Sequence, residues 1–328
     1  MRVGIDTFTI SALRLGPFAS LDFIKEHGFE GAFVGGMSSL SPDMDVGKLR
    51  EVKAYADARG LYTQITVTTC NPHLAGGGPK DHALALRREI ETAAACGWHE
   101  LRVCLGGPDD RYKRSVSWPQ QLADSADFIR ALAPVLREHG SRINIETHGD
   151  CTTFEVVRIA EDVGPDVAGI CLDTANVLCF VEDPVAAARR AAPYTHMTHT
   201  KDCIIFFTDT GYRRQVRRPG GGMLDWAQIL PILARHAPDL TLSIEDHKWW
   251  HDVPVFDAGW LSIHPDLTRE ELASVMRLAW QCQQRIARGE IEDPEQYEAV
   301  PMVEQLEDRL AQGRDYLLGL LARLKLHG

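Results

Sequence analysis

Four residues of this chain have the types and positions to do chemistry together: Glu146, Asp173, His199 and Glu245. Each falls late in a short apolar run: Ile-Asn-Ile-Glu146-Thr-His148, Ile-Cys-Leu-Asp173-Thr-Ala-Asn176, His196-Met-Thr-His199-Thr-Lys201-Asp202 and Leu-Ser-Ile-Glu245-Asp-His247. If these runs are strands, their side chains alternate with period two. Glu146 then shares a face with His148, His199 with Lys201, and Glu245 with His247. Three carboxylates, several imidazoles and a lysine buried unpaired in one volume are costly, and their mutual repulsion raises carboxylate pKa values. One divalent cation relieves both problems. Three oxygen ligands and one nitrogen suit Mn²⁺ best and also admit Mg²⁺, Co²⁺ or Zn²⁺. For any one of these residues a helix cap or a strand-end salt bridge is explanation enough. Four of them at the ends of successive strands call for a metal.

The elements that must position them recur along the chain. Eight β-branched apolar runs, 2–8, 31–36, 62–69, 100–107, 142–149, 167–176, 194–202 and 241–247, alternate with helical segments, the pattern of a parallel sheet covered by helices. Gly28, Gly60, Gly97 and Gly140 stand where a left-handed helix end is wanted, and Thr152 with Glu155 and Thr268 with Glu271 have capping-box spacing. Eight such units predict an α/β fold, a (β/α)8 TIM barrel, with chemistry at the C-terminal ends of the strands. An open doubly wound sheet fits less well, because the first strand–helix turn, IDTFTISALRLGPF, has no G-x-G-x-x-G. The expected division is a barrel over 1–290, its eighth helix at 268–288, and a charged helical extension over 291–328 packed on the barrel or on a neighbouring subunit.

Composition narrows the class. The 328 residues are 45% hydrophobic and 25% charged, and 35 Lys+Arg against 46 Asp+Glu leave a net charge of −11 without a long basic run. That argues against a nucleic-acid partner, since duplex affinity rests largely on neutralised phosphates. No apolar stretch approaches the ~20 residues of a membrane span, and MRVGIDTF enters a strand-like run without a signal-peptide layout, so no membrane partner and a cytoplasmic location are expected. The eight cysteines form no CxxC pair and read as buried free thiols.

In IETHGD (145–150), CLDTANVL (171–178), HTKD (199–202), GGGMLDW (220–226) and LSIED (242–246) the sequence resembles the sugar phosphate isomerase/epimerase superfamily, the xylose isomerase-like barrels. The resemblance implies one metal held by Glu146, Asp173, His199 and Glu245, with Glu146 and Glu245 doubling as acid/base groups beside the reacting carbon of a carbohydrate. The departures are informative. Ketose 3-epimerases of this superfamily typically carry a histidine and an arginine where this chain has Asn176 and Ile205. The endonuclease IV-like members need extra metal-binding histidines that Asn176 and Asp202-Cys203-Ile204 do not supply. His148, two residues after the first glutamate, makes an E-x-H pair that resembles the catalytic subunits of C-glycoside deglycosidases, which act on 3-oxo-glycosides by elimination.

The expected activity is therefore metal-dependent removal of a proton next to a carbonyl of a sugar or oxidised sugar, leading to isomerisation or epimerisation or to elimination, with His148, Glu146 and Glu245 as the catalytic groups. An endonuclease IV-like phosphodiesterase and a non-catalytic carbohydrate-binding barrel are the rivals. A homo-oligomer is expected, with room for a second small subunit. Lys201, His247, Asn176, Trp249, His73 and Arg102 are the candidate substrate contacts. The segment IIFFTDTGYRRQVRRPGGG, with Arg213, Arg214, Arg217 and Arg218, reads as a solvated loop or subunit contact rather than an anion site, although arginine forks suit carboxylate and phosphate. Trp249, Trp250, His251, Phe256 and Trp260 follow the eighth run, where their rings could stack on a sugar or flat aglycone or simply pack. Gly76–Gly78 lacks phosphate-loop spacing.

Overall fold

The eight apolar runs form the eight parallel strands of a barrel. In the computed structural model, which describes residues 1–74 and 78–326, they are β1 (Arg2–Asp6), β2 (Gly31–Gly36), β3 (Tyr62–Thr66), β4 (Glu100–Val103), β5 (Arg142–Glu146), β6 (Ala168–Asp173), β7 (Thr195–Thr200) and, beyond an excursion of two strands, β10 (Thr241–Ile244). Gly76 and Gly77 of the glycine run lie outside the described residues. The strands close in the order β1-β10-β7-β6-β5-β4-β3-β2, so no barrel edge is left unpaired. This is the predicted TIM barrel. All four glycines expected to end helices have positive φ, from +58° at Gly140 to +85° at Gly97.

The helix Thr153–Val163 begins with a complete capping box between Thr152 and Glu155. At the second predicted box, Thr268 accepts from the Glu271 amide, whereas the Glu271 carboxylate is taken by the Asp183 amide and by Arg190. The start of helix Arg269–Ala287 is thereby tied to the loop after β6. Among the described residues no helix is long and apolar enough to cross a membrane, and all the cysteines are free, with only Cys104 less than buried.

The arginine-rich segment read as a loop is a hairpin, β8 (Asp202–Phe207) and β9 (Tyr212–Arg217), extended by β11 (Trp250–Val253) into a three-stranded antiparallel sheet. Its arginines hid the strand period. Tyr212, Arg214 and Val216 on one face are fully buried despite the charge, and helix Arg269–Ala287 packs against β8.

The C-terminal region is two helices, Pro294–Ala299 and Met302–Leu324. The longer one lies against β1 and helix Trp226–His236, burying Leu306, Leu310, Leu317 and Leu321 at helical spacing. Its fastening is polar: the Arg309 guanidinium grips both oxygens of Asp246, directly after the metal-candidate Glu245, and the two side chains are 6% and 1% exposed. Removing one partner of a buried pair strands the other charge, so Arg309→Ala should cost about 3 to 5 kcal/mol in urea unfolding. A loss below about 1 kcal/mol would show that water reaches Asp246 and that the pair fastens nothing.

Candidate metal centre

Glu146 ends β5, Asp173 ends β6, His199 lies near the end of β7 and Glu245 directly follows β10. Register fixes their level, because His199 pairs with Asp173 on one side and with Ser243 on the other. One ligand atom from each of the four lies within 4.8 Å of the others, and all four residues are buried. His199 Nδ1 is 2.8 Å from Glu146 Oε1 and 3.0 Å from Glu245 Oε2, while Lys201 Nζ is 2.8 Å from Asp173 Oδ2 and 2.9 Å from Glu245 Oε2. Beneath them Phe33, Cys171 and Met197 form an apolar floor, with the Phe33 ring 4.5 Å from the imidazole.

A fourth carboxylate joins from β1, since Asp6 Oδ2 is 3.0 Å from His199 Nε2. His199 Nε2 and Glu245 Oε2 thus have charged neighbours but no well-aligned hydrogen bond, and Asn176 Oδ1 has no hydrogen bond either. Against the four carboxylates stand two permanent cations, Lys201 and Arg102, whose guanidinium clasps Glu146. Two negative charges are left over. A divalent ion balances them, and the unpartnered atoms and the oxygen-rich donor set fit such an ion.

The same field acts on the protein's own protons. Burial disfavours the charged imidazole of His199, but Glu146 and Glu245 outweigh it and hold its pKa well above the ordinary value. Burial would raise the Glu146 carboxyl, yet Arg102 and then His199 keep it well below the usual range. Glu245 is lowered likewise, against burial, by Lys201 and His199. Lys201 is pushed above its normal value as Asp173 and Glu245 overcome its burial. His247 goes the other way: burial, then Lys201, pushes it down to about 3.

A cavity of about 550 Å³ opens over this set, lined by His199, Glu245, Lys201, Arg102, His148, Asn176, His247 and Trp249. Most of the expected substrate contacts therefore meet in one place. His73 is not brought there: it follows β3, its Nε2 is 2.6 Å from Asp124 Oδ2, and it lies outside the cavity lining. His148 does not continue the strand period, because β5 stops at Glu146, yet the loop carries it to the cavity with Nδ1 3.3 Å from the Gly106 carbonyl. Asn176, where ketose epimerases carry histidine, donates from Nδ2 to Asp173 Oδ2 at 2.7 Å. Ile205, at the arginine position, is buried in β8 opposite Arg214.

Residues outside the sequence reading also line the cavity: Asp6, Phe8, Thr66, Pro108 and Lys248. Asp6 obeys the same strand-end rule as the other acids and was legible by it. None of the four arginines lines this cavity. Arg213 pairs with Asp252, Arg214 lies 4.8 Å from the Trp249 ring, and Arg217 and Arg218 border another pocket. Of the aromatic cluster only Trp249 reaches the cavity. Trp250 stacks with Arg213, Phe256 with Phe207, and Trp260 with His264.

Asp202, in place of an Asp-x-His metal pair, spends its carboxylate on the Cys203, Gly220 and Leu224 amides and the Trp226 indole N–H. It holds the glycine turn before helix Trp226–His236. Among the described residues the four-ligand set is the only metal-capable cluster.

The model of the xylose isomerase-like TIM barrel family matches residues 21–276, and the chain belongs to that family. Among solved structures it is similar to D-psicose 3-epimerase from Clostridium cellulolyticum H10 with D-tagatose (17% identity, TM-score 0.62, 86% of this chain and 99% of that one). It is similar also to 3-keto-D-glucoside 4-epimerase from E. coli (16%, 0.57, 81% and 100%). A third is the probable 3-DHS dehydratase involved in petrobactin synthesis from Bacillus anthracis (17%, 0.58, 84% and 99%). At these identities the likeness is one of fold. No curated protein sequence matches the chain.

Metal analysis of gently purified protein should find about one equivalent per chain, and Asp173→Ala should lose it. Mn²⁺ at a hundred times its Kd should add about 2.7 kcal/mol of unfolding stability to the native protein and none to the variant. Three equivalents of zinc would contradict the single centre.

Proposed function

We propose that this chain is a divalent-metal-dependent enzyme, with Mn²⁺ as the preferred ion, that removes a proton next to a carbonyl of a sugar or 3-oxo sugar. The observation that carries the reading is the Glu146, Asp173, His199 and Glu245 cluster at the floor of a 550 Å³ cavity. A divalent ion held there supplies Lewis acidity, which acidifies a C–H beside a carbonyl. The protein's own groups divide the remaining work. Glu245 borders the cavity, which places its carboxylate to take the proton. Glu146 does not border the cavity and is gripped by Arg102, which suits it to hold the ion. Lys201, neutralising Asp173 and Glu245 from the cavity wall, can stabilise oxygen charge as it develops.

The resulting enediolate has two outlets, reprotonation or loss of a β-substituent. His148 serves either. Its Nδ1 faces a carbonyl and therefore carries the hydrogen, leaving Nε2 as the nitrogen that exchanges a proton. Trp249 and neutral His247 add an aromatic wall on which a flat leaving group can stack, and this favours elimination. A 3-oxo sugar as substrate is supported by the E-x-H resemblance and by the likeness to an enzyme named for a 3-keto-glucoside.

Incubating the metal-loaded protein with ketoses and 3-oxo-glycosides in D₂O tests the reading. Deuterium should enter a carbon-bound position of at least one class, and a released aglycone marks elimination. No exchange with any of them would refute proton abstraction on sugars. His148→Gln should keep one equivalent of metal and lose at least roughly a hundredfold in kcat. Full turnover by that variant would remove His148 from the mechanism. Trp249→Ala should change substrate preference or KM while metal content holds, and unchanged kinetics would take Trp249 out of substrate recognition.

A further inference from the structure

A second cavity, of about 470 Å³, lies between the end of β9 and the C-terminal helices and shares no lining residue with the first. Its inner wall is cationic. Arg217 and Arg309 are buried, at 4% and 6% exposure, and Arg218 is half-buried, while the carboxylates of the lining, Glu290, Glu292 and Asp308, belong to exposed residues. The arrangement is therefore basic inside and acidic at the rim.

The cations are also crowded. Around the single ring of Tyr297 sit the Arg217 guanidinium at 3.3 Å, Lys248 Nζ at 4.0 Å and the Arg309 guanidinium at 5.0 Å. One of the three has a full carboxylate partner, because Arg309 holds Asp246. Lys248 donates to the Tyr297 carbonyl. Arg217 donates to Gln215 Oε1, stands 3.9 Å from a half-exposed Glu292, and leaves its buried Nε without a partner. Arg218 donates to the Pro219 carbonyl. Burial, and after it the charge of Arg309, lowers the pKa of both Arg218 and Lys248. A buried guanidinium without a close counter-charge is expensive, and Arg217, with the half-buried Arg218 beside it in the same wall, calls for an anion.

We propose that this pocket binds a small phosphomonoester. A dianion with several acceptor oxygens answers adjacent guanidiniums better than a monoanion does. The space is of the size that takes a small organic ligand rather than a bare ion. The loops after the seventh and eighth barrel strands, which supply Arg217, Arg218 and Asp246, are also where this fold commonly receives phosphate. The glycine turn borders it closely: a side chain at Gly222 would collide with Asp202, so the turn runs bare along the pocket edge. The wall between the two cavities is thin, since Lys248 lines the catalytic one and Tyr297 the other.

Calorimetric titration of the metal-loaded full chain with glycerol 3-phosphate, inorganic phosphate and malonate tests the assignment. Glycerol 3-phosphate should bind saturably at one site and more tightly than the other two. Arg218→Gln should weaken it at least tenfold, and Arg285→Gln, a partly exposed residue of the same lining, should weaken it measurably with the circular dichroism spectrum unchanged. Asp173→Ala, which empties the metal centre, should leave the affinity as it was. The proposal fails if no saturable binding appears, or if malonate or inorganic phosphate binds as well as the ester. It fails equally if binding survives both arginine variants and vanishes in Asp173→Ala, which would place the ligand on the metal.

Discussion

Four carboxylates converge at the C-terminal end of the barrel within contact distance of the same few cations, and much of the molecule can be understood as the means of keeping them there. Glu146 and Asp173 are fully buried and Asp6 and Glu245 nearly so. In such surroundings like charges cannot remain ionised without opposite ones at contact distance. Arg102 from β4 and Lys201 after β7 supply two, and the lifted pKa of His199 shows that the field still seeks more positive charge. A proton on His199 and a divalent ion are alternative answers to the same excess, and only the ion frees the imidazole nitrogen to act as a ligand.

Closure of the barrel makes this convergence geometric rather than accidental. Parallel register brings Asp173, His199 and Ser243 to one level, and the inward alternation then places Glu245 one step above Ser243. Asp246, the next residue along, points the other way and is seized by Arg309 of the C-terminal helix. Two successive acids after one strand thus serve opposite sides, one facing the metal cavity and the other fastening the chain's last long helix to the barrel. The phase of the strand decides which does which.

That phase explains how much could be read from the sequence. The eight strands, the helix-ending glycines, the Thr152 capping box and the clustering of all four candidate ligands follow from local period and composition, which the barrel respects. Asp6 obeys the same rule, but its run, RVGIDTF, lacks the histidine or lysine that accompanies the acids of the fifth and eighth strands. The hairpin β8–β9 was hidden because Arg214 occupies a buried position where an apolar residue would have revealed the alternation. His73 stands after a strand like the true cavity residues, but Asp124 on helix Trp118–Glu138 claims it, a contact 51 residues distant that no local pattern announces.

The two glutamates, equivalent in the sequence, are unequal in the fold, and the difference bears on mechanism. Glu146 has Arg102 on one oxygen and His199 on the other, so both oxygens are committed. Glu245 shares Oε2 between Lys201 and His199 but reaches the cavity, which Glu146 does not line. A symmetric exchange of protons between two glutamates across a sugar carbon needs both to face the cavity, and of the two Glu245 lines it. On the proposed mechanism the second proton-handling group then comes from elsewhere in the lining. Among the groups there, Lys201 is held protonated by its acidic neighbours and His247 is held neutral by burial and Lys201, so each is fixed in one state near neutrality. On the proposed mechanism His148, which lines the cavity and is anchored through Nδ1 to the Gly106 carbonyl by a loop that turns at Gly149 with φ +86°, is the imidazole that complements Glu245.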